Sequence, residues 1–507
     1  VKTIDIDLLE GQFSMGPVAF RSGEAEIGRI GLLGVDLDIR DLFEKQALLN
    51  SVIVQDVNID IRQGADGELS INGVSLRQIL AEGAKDKPEP EPESTSSWGA
   101  GVDNMRLRDI VVTFTNQAGG TARVAVQHLN LLGFRTWEPD KPGTFVLSGA
   151  VNGIDVKAYG TATPFAEKIN ANVEFGIDGI ALANIEEYTG PLGFDPTDGA
   201  LTLYGQSALA VFPEGRLEGT ANASLVLANV NAARIGGVEA VLDQGSVVVD
   251  GSFAVATDGT ITFKGKSEAK LNQAKAKQPD GPALSLSAAT LNLAGIDFSM
   301  AGDQFALSVS PTLDVEKPTV GGPVEGSVDS LKLDLPRVAV ARQADGALEV
   351  NASGVASDQG AKAAGAGRLA LASPRLQAPL AFTADSLGVD LAALTVQVPP
   401  AGNLTVNTEA VLHLEKAAVN PPAQPGQAPV NVRFNGLTAP LGPLAVTSGE
   451  NKVRLDGPVK MTIDQFELIL PEAGKPASAA KNVTSQTIAL SLPKLAVESA
   501  NGALTVA

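Results

Sequence analysis

The side chains best suited to acid–base catalysis near neutral pH are two histidines, His128 and His413, in a chain of 507 residues. His413 occupies a polar position of an alternating segment, beside Glu409 and Glu415, which is typical of a solvated surface histidine. No G-x-S-x-G nucleophile motif lies near either histidine. We therefore predict no catalytic residue, and we predict that the protein is not an enzyme.

The sequence also contains few motifs that could bind a metal or a cofactor. The chain contains no cysteine, which excludes thiol catalysis, a disulfide framework and cysteine-based metal sites. Asp195 and Asp198 lie close together, but a calcium loop needs more oxygen ligands at defined spacing, and a turn explains them better. No G-x-x-x-x-G-K-[ST] phosphate-binding motif occurs. We expect neither a metal nor a cofactor.

The balance of charge excludes further classes of function. The net charge is −20, from 58 acidic and 38 basic residues. A chain this acidic lacks the basic footprint of a nucleic-acid-binding protein, so we expect no nucleic-acid partner. No run of 18 or more apolar residues appears, so the sequence predicts no membrane-spanning helix. The opening at Val1 and the ending within an alternating segment lead us to expect a piece of a longer protein.

Alternation of apolar and polar residues is the dominant pattern. Between Ile169 and Ile177 the odd positions are apolar and the even positions are mostly polar, as in a strand with one solvated face. Similar runs recur along the chain, and Asp-Gly or Asn-Gly pairs separate many of them, as hairpin turns require. Those pairs include Asp258-Gly259, Asp345-Gly346, Asn435-Gly436 and Asp456-Gly457. The pattern predicts an all-β protein built of degenerate hairpin repeats.

The number of strands limits the possible architectures. One strand per 8–12 residues gives roughly 40–50 strands, too many for one small barrel. Serial sandwiches, a β-solenoid and one long, twisted, curled antiparallel sheet all remain open. The apolar face must be covered by a second sheet or by an apolar ligand. On pattern alone, sheets that cover each other are favoured.

Composition also divides the chain into regions. A Pro- and Glu-rich segment predicts a linker over residues 85–97. We predict an N-terminal β domain over residues 1–84, a middle β-sheet domain over 98–275, and a C-terminal β-sheet region over 276–507.

The segment from Gly31 to Leu80 contains a distinctive succession of elements. Its sequence, GLLGVDLDIRDLFEKQALLNSVIVQDVNIDIRQGADGELSINGVSLRQIL, predicts a strand, a short helix, a strand, a polar turn and another short helix. These parts are Val35–Arg40, Asp41–Leu48, Val52–Gln63, Asp66–Asn72 and Val74–Leu80. A Pro-rich spacer and a strand that opens at Trp98 follow.

This succession resembles the AsmA-like family of bacterial envelope proteins, and the stretch from Tyr188 to Leu203 resembles a further domain found in such proteins. The resemblance covers about residues 1–275. It implies the long, curled antiparallel sheet, shaped as a groove, with a few short helices near the N-terminus. Family members usually begin with a transmembrane helix, which is missing from this chain.

The resemblance also implies a function. Members of the AsmA-like family are thought to carry phospholipids between the inner and outer membranes. From the resemblance we therefore expect a periplasmic lipid conduit that maintains the envelope. The expected partners are phospholipid, the inner membrane through the missing N-terminal helix, and an outer-membrane or other envelope protein. The candidate lipid-groove residues are Val35, Leu37, Ile39, Val57, Ile59, Ile61, Ile169, Val173, Phe175, Leu225, Leu227, Ile261 and Phe263.

The alternative is a structural or adhesive surface protein made of serial β-sandwich domains. It predicts a core covered by the protein itself, no bound lipid, and separable domains of roughly 100 residues.

Overall fold

The computed structural model shows an all-β protein. The residues it describes are 3–22, 25–64, 67–77, 98–117, 119–185, 194–195, 198–235, 238–279, 281–322, 324–343, 345–352, 367–378, 381–399, 404–420, 430–449, 452–470, 481–500 and 503–506. Their strands join one sheet of 33 strands, which confirms the prediction of a long β-sheet. Within the described residues, no helix has the length and apolar character that crossing a membrane requires.

The strands are fewer and longer than the sequence suggests, with up to 20 residues in one strand. In chain order they are β1 (Thr3–Asp7), β2 (Gln12–Gly16), β3 (Val18–Ser22), β4 (Ala25–Leu37), β5 (Gln46–Gln63), β6 (Leu69–Ile71), β7 (Val74–Ser75), β8 (Gly99–Thr115), β9 (Thr121–Arg135), β10 (Gly143–Val151), β11 (Ile154–Ala162), β12 (Ile169–Ala181), β13 (Phe194–Asp195), β14 (Ala200–Val211), β15 (Leu217–Ile235), β16 (Val238–Val255), β17 (Ile261–Lys277), β18 (Ala283–Ala301), β19 (Gln304–Glu316), β20 (Thr319–Gly321), β21 (Glu325–Ser327), β22 (Ser330–Asp334), β23 (Val338–Arg342), β24 (Leu348–Ala352), β25 (Gly367–Ala372), β26 (Arg375–Ala378), β27 (Ala381–Thr383), β28 (Ser386–Val398), β29 (Leu404–Asn420), β30 (Asn431–Gly449), β31 (Lys452–Leu470), β32 (Lys481–Ala500) and β33 (Ala503–Val506).

The chain divides into two compact units, which we call unit 1 and unit 2. Unit 1 comprises Val1–Ile180 and Thr202–Ala223, and unit 2 comprises Ala181–Leu201 and Ser224–Ala507. The boundary that the sequence predicts at 275/276 falls inside β17, which pairs along its length with β18. The predicted linker over residues 85–97 lies outside the described residues.

The sequence led us to expect a purely antiparallel sheet. In unit 1 this expectation is wrong, because one pair of strands is parallel. β5 runs parallel to β8, with Val52 opposite Met105 and Val57 opposite Ile110. The strands on either side, β4 and β9, pair with them antiparallel. A parallel pair needs a crossover connection between its strands, and the β6–β7 hairpin is the described part of the connection from β5 to β8.

Among the described residues, the short helices predicted near the N-terminus are reduced to single turns. Asp41–Glu44 forms a single 3₁₀ turn, and β5 begins at Gln46 inside the predicted helix. Val74–Ser75 is a strand, residues 76 and 77 are helical, and the rest of the predicted helix Val74–Leu80 lies outside the described residues. Propensity for a helix in these segments is overridden by pairing with the neighbouring strands.

Unit 2 is an antiparallel meander with one subdivided stretch. β16, β17, β18 and β19 pair in sequence order, and so do β28, β29, β30, β31 and β32. Between β19 and β28, two short strands placed end to end take the place of each long strand. β22 and β23 pair with opposite halves of β19, and β25 and β24 pair with opposite halves of β28.

One interruption of alternation crosses the strands of unit 2 at a common level, separate from the register shifts that several of these strands carry elsewhere. On β29, Leu414 and Ala417 are both buried although three positions separate them, and Glu415 and Lys416 between them are exposed. Lys416 has a positive φ of 45°, a conformation that costs a non-glycine residue about 1–3 kcal/mol. It acts like a β-bulge, because two successive residues point outward and the next apolar side chain returns to the inner face.

The neighbouring strands carry the same interruption in register. Side chains of paired strands share their faces, so a change of phase in one strand must be matched in the next. Backbone hydrogen bonds at this level join Lys317 to Asp329 and Ser373 to Asp385. We call the resulting line of outward residues the polar row: Asp243, Gln273, Ser287, Lys317, Asp329, Ser373, Asp385, Lys416, Asn435, Gln465 and Gln486.

Every second member of the polar row has a positive φ, between 45° and 51°. These residues are Gln273, Lys317, Ser373, Lys416 and Gln465. Asn435-Gly436, which the sequence predicts as a turn, lies within this row inside β30, and Asp456-Gly457 lies inside β31 at a shift of register. Asp258-Gly259 and Asp345-Gly346, in contrast, do form turns.

Unit 1 has a shorter interruption of the same kind. Asp56 on β5 and Asp109 on β8 have φ values of 57° and 52° and lie opposite each other. Asp56 also faces Gly31 on β4, where a Cβ atom would lie 2.5 Å from the Cβ of Asp56. Only glycine therefore permits this approach. The interruption continues to Gln127 on β9 and ends at a register shift between β9 and β10.

Candidate functional site

The inner, apolar faces of the two units are incompletely covered. Fifteen hydrophobic residues are buried among the described residues, and Leu182 is the largest side chain that is completely buried, at 1% exposed. Serial sandwiches of this length would bury far more, because both inner faces of each pair of sheets cover each other. Most apolar side chains of the inner faces are half-buried, so they remain able to contact a ligand.

Nine of the predicted groove residues belong to unit 1. Val35 lies between Phe13 and Val52 of the neighbouring strands. Val57 lies between Ile30 and Ile110. All nine are half-buried except Ile169, which is 37% exposed. The half-buried ones are Val35, Leu37, Ile39, Val57, Ile59, Ile61, Val173 and Phe175.

Two details of unit 1 refine this set. Ile39 lies in the turn after β4, which ends at Leu37, so the predicted strand Val35–Arg40 is too long. Phe175 on β12 lies over Gly205 on β14, where a Cβ atom would come within 2.4 Å of the ring. An aromatic ring over a glycine covers backbone on a sheet face, so this part of the apolar face is smooth.

The remaining four predicted residues belong to unit 2. Leu225 and Leu227 lie on β15, and Ile261 and Phe263 lie on β17, all half-buried. Leu227 packs against the buried pair Leu182 and Val230. None of the four, and none of the nine in unit 1, borders the large cavity described next.

Unit 2 contains an apolar cavity of about 910 Å³, near the upper end of the volumes of about 300–1,000 Å³ that ligand pockets usually have. Leu242 on β16 and Leu387 on β28 both border it, although β17, β18, β19, β22 and β25 lie between them in the sheet. The sheet of unit 2 therefore curls around this space. Other aliphatic lining residues are Leu271, Leu286, Val320 and Leu376.

The cavity ends against a packed group of side chains, which we call the apolar cluster. It consists of Ala384, Leu414, Ala417 and Phe434, which are 8%, 7%, 2% and 9% exposed. Phe382 and Leu387 border the cavity and also pack against this cluster. The inner face of unit 2 therefore changes from an open space to a closed packing at these residues.

The outer faces are polar and paired. In unit 2, Lys416 Nζ lies 2.8 Å from Asp385 Oδ2, and this hydrogen bond raises the pKa of the Lys416 ammonium group above its ordinary value. In unit 1, Tyr159 donates a hydrogen bond to Glu174, which raises the pKa of the phenol. These groups are exposed, so they add little stability and mainly keep the outer face hydrated.

The residues that suggested chemistry do not assemble a reactive site among the described residues. His413 Nε2 lies 3.3 Å from the exposed Asp390 carboxylate on the neighbouring strand. His128 on β9 lies opposite Arg108 on β8 and opposite Ser148 on β10. No group of three or more histidine and carboxylate side chains able to hold a metal occurs in the described part of the chain.

The acidic pair that resembled a calcium loop is explained by local structure. Asp195 is the end of the short strand β13. Asp198 accepts a hydrogen bond from the backbone N–H of Gly199 at 2.8 Å, as in a turn.

The sequence did not identify the cavity or the apolar cluster. A signal for the cluster was present, because apolar residues recur at i and i+3 within strands, as at Leu414 and Ala417 or at Phe434 and Leu437. Such a spacing breaks strict alternation and marks a bulge that keeps both side chains on one face. The cavity has no comparable signal, since it depends on how strands far apart in sequence face each other.

No protein-family model, curated protein or solved structure matches this chain. The resemblance to the AsmA-like family therefore stays a prediction from the residues quoted above.

Proposed function

We propose that this protein is a non-enzymatic lipid conduit, which shields phospholipid acyl chains from water along the apolar inner face of its sheet. The observation that supports this proposal is the uncovered state of that face. Apolar side chains alternate regularly along the strands, yet most of them remain half-exposed. Water contact at these side chains is unfavourable, and an aliphatic ligand removes it.

The chemistry of the face favours acyl chains over a polypeptide. A bound peptide strand must satisfy its backbone N–H and C=O groups, and the inner face of a paired sheet offers aliphatic side chains in place of hydrogen-bonding partners. Each acyl CH₂ that leaves water contributes about 0.8 kcal/mol. Non-directional contacts of this kind permit sliding, because no single hydrogen bond must break.

The location and the partners are further parts of the proposal, and the AsmA-like resemblance supports them. We place the protein in the bacterial periplasm, anchored to the inner membrane, with phospholipid as cargo and an envelope or outer-membrane protein as a partner. Transport between the two membranes would then maintain the outer membrane.

Photocrosslinking in cells tests the proposal. A photoreactive residue at Val173, which is half-buried on β12, should give lipid adducts, and the same residue at the exposed neighbour Asn172 should not. Adducts at neither position, in a folded protein, would contradict the conduit. Adducts at both positions would show that lipid contacts both faces of the sheet, which would contradict the assignment of the inner face as the lipid-binding face.

A transfer assay gives a second measurement with a matched control. Val173→Asp places a charge on the inner face and should reduce the transfer of labelled phospholipid between vesicles. Asn172→Asp adds the same charge to the outer face and should leave the transfer rate unchanged. Equal effects of the two substitutions would overturn the assignment of the faces.

A further inference from the structure

Large apolar side chains with almost no cover gather at one end of the strands of unit 1. Leu8 and Leu9, in the turn between β1 and β2, are 82% and 94% exposed. Phe43, in the turn between β4 and β5, is 89% exposed, and Trp98, directly before β8, is 58% exposed. We call these four residues the apolar end. Isolated exposed apolar residues are ordinary, but a group of them marks a surface that contacts another molecule or a membrane.

Backbone hydrogen bonds join the three segments that carry these residues. The Leu37 N–H donates to the Gly11 carbonyl at 3.0 Å, which connects the turn after β1 to the end of β4. The Gly99 N–H donates to the Lys45 carbonyl at 2.9 Å, which connects the start of β8 to the turn after β4. β2, β4, β5 and β8 are successive neighbours in the sheet, so about 14 Å separates the first from the last. The apolar end is therefore one continuous surface.

The opposite end of the same strands has the usual polar turns. The sequence from Asn116 to Gly120 connects β8 to β9, and Asn152-Gly153 connects β10 to β11, with no large apolar residue in either turn. Polar residues and glycine are what a turn in water favours. The apolar turns at the other end therefore need a specific explanation, which the local chain geometry does not supply.

The backbone of the apolar turns is hydrogen-bonded within the protein. The Leu9 N–H donates to Asp7 Oδ1 at 3.0 Å, and the Phe43 N–H donates to the Arg40 carbonyl at 3.1 Å. An unpaired backbone group is costly in hydrocarbon, so internal pairing prepares these turns to enter an apolar environment. Leu8, Leu9 and Phe43 also lie in turns and not on a strand edge, so they offer no row of groups for a partner's peptide strand.

The charge around the apolar end indicates which kind of membrane it fits. Anionic phospholipids attract basic surfaces and repel acidic ones. A zwitterionic phospholipid presents its ammonium group outermost, where a carboxylate of the protein meets it. Residues 7–11 and 38–45 together have five carboxylates, Asp7, Glu10, Asp38, Asp41 and Glu44, against two cations, Arg40 and Lys45.

We propose that the apolar end is a membrane-contact surface, which inserts Leu8, Leu9, Phe43 and Trp98 into the head-group region of a bilayer rich in zwitterionic phospholipid. A fluid bilayer accommodates side chains that project from separate turns, whereas a protein partner needs a matching pocket for each. The indole of Trp98 suits the boundary between head groups and acyl chains. This contact goes beyond the conduit function and does not require it, since it uses the ends of the strands and not the inner face.

Flotation of the purified full chain with vesicles tests the surface and its preference. We expect the chain to bind phosphatidylcholine vesicles. Vesicles of equal parts phosphatidylcholine and phosphatidylglycerol should bind it at least about fivefold more weakly at low salt, the factor that one unit charge near such a surface gives. About 0.5 M NaCl should remove this difference, because salt screens exposed charges. Absence of binding to phosphatidylcholine, or stronger binding to the mixed vesicles, would overturn the proposal.

A double variant with a matched control assigns the binding to this end of unit 1. L9S/F43S should weaken binding to phosphatidylcholine vesicles at least about tenfold, and the folding of the chain should hardly change because both side chains are exposed. V124S/V151S is the control. Val124 and Val151 face each other on β9 and β10 near the opposite end and are 39% and 42% exposed. This control should bind as the unaltered chain does, and equal losses in the two variants would overturn the assignment.

Tryptophan fluorescence measures insertion directly. On phosphatidylcholine vesicles the emission should shift to shorter wavelength, and brominated phosphatidylcholine should quench it. Trp98→Phe should lose most of this response, because the remaining Trp137 is half-buried against Gly99 and Gly101. A response that is unchanged in Trp98→Phe would contradict insertion of Trp98.

Analytical ultracentrifugation tests the other possible occupant of the surface, a second copy of the chain. The membrane proposal predicts that L9S/F43S leaves the oligomeric state of the chain unchanged. Self-association that this variant abolishes, in a chain that binds no vesicles, would overturn the membrane contact and assign the surface to a second copy.

Discussion

The cavity and the apolar cluster of unit 2 lie next to each other on one face of the sheet but differ in how closely their side chains pack. Both lie on the inner face, and the polar row crosses the outer face behind each of them. In the cavity, Leu284 is 52% exposed, whereas in the cluster Ala417 is 2% exposed. Ala274 and Ala276 leave space in the cavity, while Phe434 fills the space beside Ala417. Side-chain volume is therefore one difference between the open and the closed part of this face.

This difference implies a division of roles along one face. Close-packed side chains in the cluster gain dispersion contacts, so they contribute stability. Side chains in the cavity forgo those contacts and remain available to a ligand. Substitutions in the cluster should therefore change the free energy of unfolding, and similar substitutions in the cavity should change binding.

The largest expected effect comes from truncating an aromatic residue. Phe434→Ala removes the largest side chain of the cluster and should lower the free energy of unfolding by about 3 kcal/mol or more. Leu284→Ala, in the cavity, should lower it by less than about 1 kcal/mol, since half of that side chain is already in water. Equilibrium urea unfolding of the full chain measures both. Equal losses would remove the distinction between the two regions.

Enlarging an alanine should sharpen the same comparison. Ala417→Leu inserts three heavy atoms into close packing and should cost about 1–3 kcal/mol. Ala276→Leu adds the same atoms beside the cavity and should be neutral, or stabilising by up to about 1 kcal/mol. Thermal unfolding of the two variants gives the order. A destabilising Ala276→Leu would show that the cavity is already filled by protein side chains.

A third pair of substitutions concerns what the two regions share. Gln273 lies on the polar row behind the cavity, and Lys416 lies on it behind the cluster, with φ values of 50° and 45°. A β-branched residue is poorly tolerated at positive φ, so Gln273→Val and Lys416→Val should each cost about 1–2 kcal/mol. Gln273→Gly, free of that strain, should be nearly neutral. A marked difference between the free energies of unfolding of the two valine variants in urea would show that the positive φ has different roles at the two positions.

The smallest effect should be a pH dependence at Lys416. Its folded-state pKa is raised above the ordinary value of 10.5 by the hydrogen bond to Asp385. A raised pKa means that the stabilising contribution is complete below the unfolded-state pKa and is lost as pH rises through the folded-state pKa. An NMR titration of the lysine side-chain resonances should show Lys416 among the last to lose its proton. Asp385→Asn should return it to the ordinary range.

The class of fold follows from the sequence because alternation is a local property. The run from Ile169 to Ile177 lies within β12, with the predicted faces. Bulges are harder to predict, since a pair such as Asn435-Gly436 has the same residue types as a hairpin turn. Its neighbours decide the outcome: strands on both sides pair with β30 through this position, so the strand continues.

The cavity and the parallel pair β5–β8 depend on contacts between distant segments, and no local pattern reports them. The thirteen groove residues were chosen from alternating segments and from the segment that resembles the AsmA-like family, and none borders the cavity. Alternation identifies which face a residue occupies but not how strongly the sheet curves there. Curvature arises from the bulges and the sizes of the side chains across several strands.

The polar row of unit 2 also bears on how a chain of this kind can change its length during evolution. Because neighbouring strands change phase at the same level, a hairpin that carries an outward residue pair at that level fits between any two others. Duplication or loss of one hairpin then preserves the inner and outer faces of all the rest, whereas a single-residue insertion in one strand would reverse a face. Because the polar row keeps the strands in phase, the sheet can gain or lose complete hairpins by gene duplication or deletion.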